Sequence, residues 1–396
     1  MSDDALRRID ALLEVGLHLA RSAPTGTIAL ARLARSIDPA WLPRPDADAI
    51  IAELDAARAA ASEPIAFAQV ERTLHHAWDG APTDELDELD RDPVAVTPIA
   101  QVHRGLLDGS PVAVKVLRPG LAAAVRQDLV LLEGLFPPLG AAFPGLNARA
   151  LLHEVRERVL DELDLEQEAV AQRRFYRALR NHPALMVPAP VMRLAHDSVL
   201  VSEWVDGVPL TQAPDPDRAG AQLVVFAIGA ARSGIVHADL GPDDALVLAD
   251  GRLAILDFGA TGTVDPGRVG IAAALVEAFI GADDDALADA LTELGWLAPA
   301  PARTAAALAR HTLAEFGAPE PVRLDADAVI AAADRLLAQP AAVSELLRAG
   351  ALPPEDLWAV RGLAQLVGTI ARVDATAPWR ELARAALRDG WNASLS

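Results

Sequence analysis

The apolar residues of this chain follow two rhythms. Up to about residue 90 the spacing is helical: Ile9, Leu12, Leu13, Val15, Leu17 and Leu19 make one face, and Asp46 to Ala61 is rich in Ala, Asp, Glu and Arg. Pro24, Pro39, Pro43 and Pro45 divide these segments. Near residue 93 the pattern shortens to β-like runs, Ile99-Ala100-Gln101-Val102-His103 and Val112-Ala113-Val114-Lys115-Val116, on either side of Leu107-Asp108-Gly109-Ser110. Asp-Gly between two such runs predicts a β-hairpin. Helical spacing returns from Leu121 through Leu135 and from Ala148 to Leu179, and Val199 to Trp204 reads as a strand ending at the turn Asp206-Gly207. A long apolar helix over 220–232 then leads into the polar segment His237 to Asp244, and a second hairpin follows, Ala245 to Leu248 and Leu253 to Leu256 around Asp250-Gly251. From about 266 the chain is Ala/Leu-rich and helical, broken at Pro299 to Pro301, Pro319 to Pro321 and Pro353-Pro354. Early strands, late helices and a polar loop before a hairpin predict an α+β, bilobal fold with a site in the cleft. Its parts are an N-terminal helical extension (1–92), a small β lobe with inserted helices (93–202) and a larger helical C-terminal lobe (203–396).

Composition narrows the partners. Of 396 residues 52% are apolar and 23% charged, and the formal net charge of −21 disfavours binding to nucleic acid or to an anionic surface. With no cysteine, disulfides, Cys-ligated metals and thiol nucleophiles are excluded. Met1-Ser2-Asp3-Asp4 is acidic where a signal peptide is basic, and the longest apolar stretches, Ala221 to Ala231 and Ile271 to Ile280, fall well short of the ~20 residues that cross a bilayer. Both read as buried helices. A cytoplasmic protein is expected, and any peripheral contact with a membrane would not be electrostatic.

The basic residues hold the strongest chemical signal: all of them are Arg except one, Lys115, in the middle of a strand. Arg presents a wide planar fork, whereas Lys carries a compact charge on a long stem that fits between phosphates. A solvent-facing strand residue would tolerate Arg; a Schiff-base lysine has no phosphate-cup motif beside it; and no Gly-x-x-x-x-Gly-Lys precedes position 115. Val112-Ala113-Val114-Lys115 fits a strand lysine that holds nucleotide phosphates, His237-Ala238-Asp239 fits an H-x-D catalytic loop, and Asp257-Phe258-Gly259 fits a D-F-G turn. Each is weak alone, but together in this order with the intervening hairpin they are specific. Four carboxylates, on Asp239, Asp243, Asp244 and Asp257, are expected to gather around a cation. His75 and His76 read as surface residues, and His237 as a hydrogen-bonding brace of the loop.

Five segments make a closer resemblance: Ile99 to Arg104, Val112 to Gly120, Glu162 to Ala169, Val201 to Gly207 and Leu256 to Ala260. From about Pro24 to Asp265 the chain resembles the UbiB/AarF family of atypical kinases, which implies a protein-kinase-like fold. Aminoglycoside and choline phosphotransferases share the H-x-D and D-F-G elements but lack the I-A-Q-V-H and E-x-D segments. The resemblance implies that Lys115 contacts phosphates and pairs with Glu168, that Glu162 and Asp164 form the E-x-D element, and that Asp239 is the catalytic aspartate. It further implies Mg²⁺ on Asp257 and Asp244, an adenine hinge at Glu203, Trp204 and Val205, and a nucleotide loop that includes Val96 and Thr97. The cofactors implied are ATP or ADP with Mg²⁺; the partners are a lipid or isoprenoid-quinone precursor, or a protein of that pathway. Three positions depart from the family: Asp244 replaces Asn, Ala95-Val96-Thr97-Pro98 replaces an alanine-rich loop, and Ala29-Leu30-Ala31-Arg32 replaces K-x-G-Q. An atypical kinase or ATPase is expected, with a nucleotide-binding pseudokinase as the alternative reading.

Overall fold

The computed structural model describes residues 63–395 and, before them, only the isolated positions 15, 18, 52, 56, 57 and 59. The expected N-terminal helices and the segment Ala29 to Arg32 lie outside the described residues.

Helix α1 (Phe67–Trp78) precedes the strands β1 (Glu88–Leu89), β2 (Ala95–Val96), β3 (Ala100–Leu107) and β4 (Ser110–Leu117). The predicted hairpin is β3–β4. Asp108 and Gly109 take φ of 51° and 74°, the paired left-handed conformation that lets a two-residue turn match the strand twist. Helix α2 (Leu121–Asp128) passes into a 3₁₀ segment, Leu129–Leu135, where an unbroken helix was expected. The helical stretch from Ala148 to Leu179 is likewise two helices, α3 (Ala148–Asp161) and α4 (Leu165–Leu179), because Asp164 caps α4 by accepting from the amides of Glu166 and Gln167. Strands β5 (Leu185–Met186) and β6 (Val199–Glu203) follow.

Strands β1, β3, β4 and β6 pair in that order, with β2 also on β3. Along β4 the alternation fixes two faces. Val112, Val114 and Val116 are buried against Val70 and Leu74 of α1 and against Val199 and Val201, while Ala113 and Lys115 face the other way. Each valine so buried contributes about 1.5–3 kcal/mol relative to exposure. A one-residue slip of β4 would exchange these faces and remove Lys115 from the cleft.

The larger lobe contains β7 (Val208–Pro209), α5 (Pro216–Arg232), β8 (Ile235–His237), β9 (Ala245–Val247), β10 (Leu253–Ile255), β11 (Thr261–Thr263), α6 (Pro266–Gly281), α7 (Asp284–Glu293), α8 (Pro299–Thr312), β12 (Val322–Leu324), α9 (Ala326–Leu337), α10 (Pro340–Ala349), α11 (Leu357–Val373), β13 (Ala375–Ala377) and α12 (Trp379–Asp389). Its core gathers Phe175, Leu185, Leu223, Phe226, Ile255, Phe258, Ile370 and Trp379 around α5. Strand pairing crosses both expected boundaries: β1 joins the small sheet before residue 93, and β5 pairs in parallel with β10 before residue 203. Helix α5 is buried as expected. Helix α6 is not, since only Ala278 and Ile280 are buried; it lies at the periphery of the lobe, and its apolar side chains have no single face to bury. The pair β12–β13, inside the expected all-helical tail, carries too short an apolar run to be read from spacing.

Candidate functional site

Lys115 is placed by the hairpin. In register with Val102 on one side and Leu200 on the other, its side chain leaves the sheet on the face opposite Val114. Glu168 is placed by the cap: Asp164 starts α4, and the fourth helical residue is Glu168, buried one turn in, where a negative charge suits the helix N-terminus. Asp257 follows β10, and its Oδ1 accepts the Gly259 amide at 3.0 Å. The three meet. Lys115 Nζ donates to Glu168 Oε1 and Oε2 at 2.7 and 2.8 Å and to Asp257 Oδ2 at 3.1 Å. Burial works against the ammonium charge, but the Asp257 and Glu168 carboxylates outweigh it, so Lys115 is held well above its ordinary pKa and is charged at every physiological pH.

The D-F-G turn is anchored by aromatic packing. Phe258 is fully buried, its ring 5.1 Å from Phe175 and 5.6 Å from the His237 imidazole. Phe175 lies two turns beyond Glu168 on the same face of α4, so one helix face holds both the turn and the lysine. His237 Nε2 donates to the Asp257 carbonyl at 2.6 Å, which makes it the brace that the sequence suggested. His75 and His76 are exposed.

Asp239 of the H-x-D loop lies in the cleft, held from α11. Gln365 Nε2 donates to its Oδ1 at 2.8 Å, and Arg361 Nη2 lies 2.9 Å from its Oδ2. Arg361 Nη1 also reaches Glu162 Oε1 at 3.2 Å. Glu162 is therefore buried at the site, whereas Asp164, the other half of the E-x-D element, is occupied as the α4 cap. Neither Arg361 nor Gln365 was identified from sequence. The available signal was Arg361, Gln365 and Thr369 at four-residue spacing in a helix otherwise apolar up to Arg372, a polar stripe of the kind that lines a site.

The remaining expected residues lie at the rim. Glu203 ends β6 and is exposed; the Trp204 amide donates to the Pro111 carbonyl and its indole to Asp206; Val205 follows. Val96 pairs with Gln101 in the β2–β3 ladder, and the Thr97 hydroxyl is used within its own turn, bonded to the Ala100 carbonyl and amide. Thr97 thus shapes the loop through its hydroxyl.

Convergence of the acidic cluster on a cation is not found. Asp244 is buried and turned into its own loop, with Oδ2 accepting the Gly241 amide at 2.9 Å, and Asp239 and Asp257 face Arg361 and Lys115. Among the described residues no three His, Cys, Asp or Glu side chains gather closely enough to hold a metal ion. Protein cations already meet two of these charges, Lys115 at Asp257 and Arg361 at Asp239. Mg²⁺, the ion the kinase resemblance implies, takes most of its ligands from phosphates and water. A partly exposed Asp257 at the cleft suits that role, and Asp244 does not in this arrangement.

Two lobes, a strand lysine paired with a helix glutamate, an H-x-D loop and a D-F-G turn define a mixed α/β, kinase-like protein. The ABC1 atypical kinase-like domain matches residues 59–291, more than half of the chain, and the chain belongs to that family. It is similar to a probable protein kinase UbiB of Marinobacter nauticus, 32% identical over 237 residues that make up 56% of this chain and 43% of the relative. It is also similar to an uncharacterized protein of Synechocystis, 33% identical over 233 residues, 56% of this chain and 34% of that one. The chain therefore spans less than half the length of these curated relatives. Among solved structures, Rv3197 of Mycobacterium tuberculosis, described in complex with erythromycin, superposes with a TM-score of 0.63 at 26% identity, covering 84% of this chain and 85% of that one. Among the described residues no helix is long and apolar enough to cross a membrane.

Proposed function

We propose that this chain is a UbiB-like atypical kinase or ATPase that binds Mg-nucleotide between its lobes and acts in isoprenoid-quinone or lipid metabolism. The observation that carries the reading is the Lys115–Glu168–Asp257 triangle, which joins the two lobes through one fixed positive charge beside the D-F-G turn. Lys115 supplies the charge for the α- and β-phosphates. Glu168 fixes the lysine, and Asp257 offers the carboxylate for the ion that neutralises the phosphates when bound. Asp239, oriented by Arg361 and Gln365, is the acceptor for the proton of an attacking hydroxyl or water. Glu203 to Val205 would border the adenine, with Val96 and Thr97 over the phosphates.

A second reading, a pseudokinase that binds nucleotide as a regulatory module, is favoured by one observation: the buried Asp244 carboxylate accepts the Gly241 amide of its own loop. Thermal shift with ATP, with and without Mg²⁺, run beside ATP turnover on wild type and Lys115→Ala, separates the two. The expected result is Mg-dependent stabilisation, about 2.7 kcal/mol at a hundredfold excess over Kd, lost in the variant and accompanied by turnover. Stabilisation without turnover selects the pseudokinase, and no stabilisation at all sinks both readings.

A further inference from the structure

Helix α4 has two faces of opposite character. Glu168, Gln172, Phe175 and Leu179 recur at helical spacing on the buried face, which pairs with Lys115 and packs the D-F-G turn. The other face carries two exposed rows, Arg173-Arg177-Arg180 and Val170-Arg174-Ala178. In a chain of net charge −21, no acidic residue occurs between Glu168 and Asp197, whereas five arginines do. Surface arginines elsewhere find carboxylates: Arg193 pairs with Glu85, Arg323 with Asp374 and Arg388 with Asp389. Among the described residues none of Arg173, Arg174, Arg177 and Arg180 meets a carboxylate, and only Arg174 has a protein acceptor, the Ser233 carbonyl at 3.2 Å. A cation near a helix C-terminus is favourable by itself, which accounts for Arg177 and Arg180. Arg173 and Arg174 lie farther from that end and gain little from it. Val170, a large apolar side chain left exposed, begins the stripe, and with Arg173, Arg174, Arg177 and Ala178 it borders a hollow of about 540 Å³.

We propose that this face of α4 docks a short acidic segment of a partner protein, with carboxylates on the Arg173, Arg177 and Arg180 row and an apolar side chain against Val170 and Ala178. Charge complementarity sets the class of partner, since guanidinium forks take carboxylates in bidentate pairs. Size decides among anions. At physiological salt the field of a charge fades over about 8 Å, so a segment of a few residues feels the stripe and little of the remaining chain. A membrane surface or a nucleic acid extends past the stripe and meets the acidic excess behind the −21 charge, and a second copy brings that excess with it. An occupant here would touch the helix whose inner face holds Glu168, but the inference goes beyond the nucleotide reading and does not depend on it.

The test is fluorescence anisotropy of a fluorescein-labelled hexaglutamate peptide headed by one leucine, titrated with the full chain at near-physiological salt. Wild type is expected to bind it, and the triple variant Arg173→Gln, Arg177→Gln, Arg180→Gln to bind about tenfold more weakly. Gln follows Arg closely in helix propensity and the three positions are exposed, so the triple variant keeps the fold. Arg303→Gln, which removes an exposed arginine of α8, should bind as wild type does. Val170→Ser should weaken the leucine-headed peptide and leave plain hexaglutamate unchanged, a split that diffuse charge attraction would not give. Equal affinity of wild type and the triple variant overturns the proposal, as does an Arg303→Gln loss as large as that of the triple variant. Failure of wild type to take the peptide also overturns it; stripe-dependent binding of phosphatidylglycerol vesicles, or stripe-dependent dimers in sedimentation, would then reassign the face to a membrane or to a second copy.

Discussion

The I-A-Q-V-H segment shows how a single residue joins several parts of the small lobe. Gln101 Oε1 accepts the Ile65 amide at 2.9 Å, which leaves its amide nitrogen to donate to His103 Nε2 at 2.7 Å, and His103 Nδ1 then donates to the Asp90 carbonyl at 2.8 Å. This chain fixes the imidazole as neutral, since a proton on Nε2 would set two donors against each other. Burial, opposed by the Asp90 carbonyl, lowers the His103 pKa below 6.5. With the folded-state pKa depressed, the stability tied to this group is complete above about pH 6.5 and is lost as the pH falls through the folded value. Urea unfolding of wild type should weaken between pH 7.5 and 5.5, by up to about 1.4 kcal/mol per pH unit for the one proton, and His103→Gln should be less stable but flatter. Equal slopes for both proteins would remove His103 as the cause.

Between elements, the coupling that matters is β4 to α4. Glu168 is buried, and burial pushes its carboxyl up, with Lys115 opposing, so each partner is costly to keep alone. Replacing Lys115 with Met strands the carboxylate and should cost about 3–5 kcal/mol in denaturant unfolding, while the double variant with Glu168→Leu should regain most of that loss. Single losses that simply add in the double variant would mean the pair is not a structural unit. The same elements show where spacing falls short. The break between α3 and α4 is written in Asp164-Leu165-Glu166-Gln167, an N-cap with a polar third helical residue, yet apolar periodicity runs straight through it. Periodicity records burial, and Leu163 and Leu165 are buried on both sides of the break.

For the whole molecule, the charge of −21 acts as self-repulsion, which salt screens. Raising NaCl from low to near-physiological concentration should increase the melting temperature by roughly 2–4 °C, the shift that about 1 kcal/mol produces in a large domain. A melting temperature that falls with salt would show that the specific ion pairs, such as Arg268 with Asp356, outweigh net repulsion. That balance could not be taken from composition, because the composition does not say which carboxylates already face an arginine.

The sequence by itself determined both hairpins and singled out Lys115, Asp239 and Asp257, because strand alternation, Asp-Gly turns and short motifs are local in the chain, whereas Glu168 came from the family resemblance. Only the tertiary structure decided what surrounds them. Arg361 lies 122 residues beyond Asp239, and Asp356 lies 88 residues from Arg268; no periodicity links such positions. Whether an acidic loop awaits a metal or is already neutralised depends on which distant cation folds against it. Here Arg361 of helix α11 meets Asp239 and Lys115 of β4 meets Asp257, so two of the four carboxylates that read as a metal cluster face protein cations.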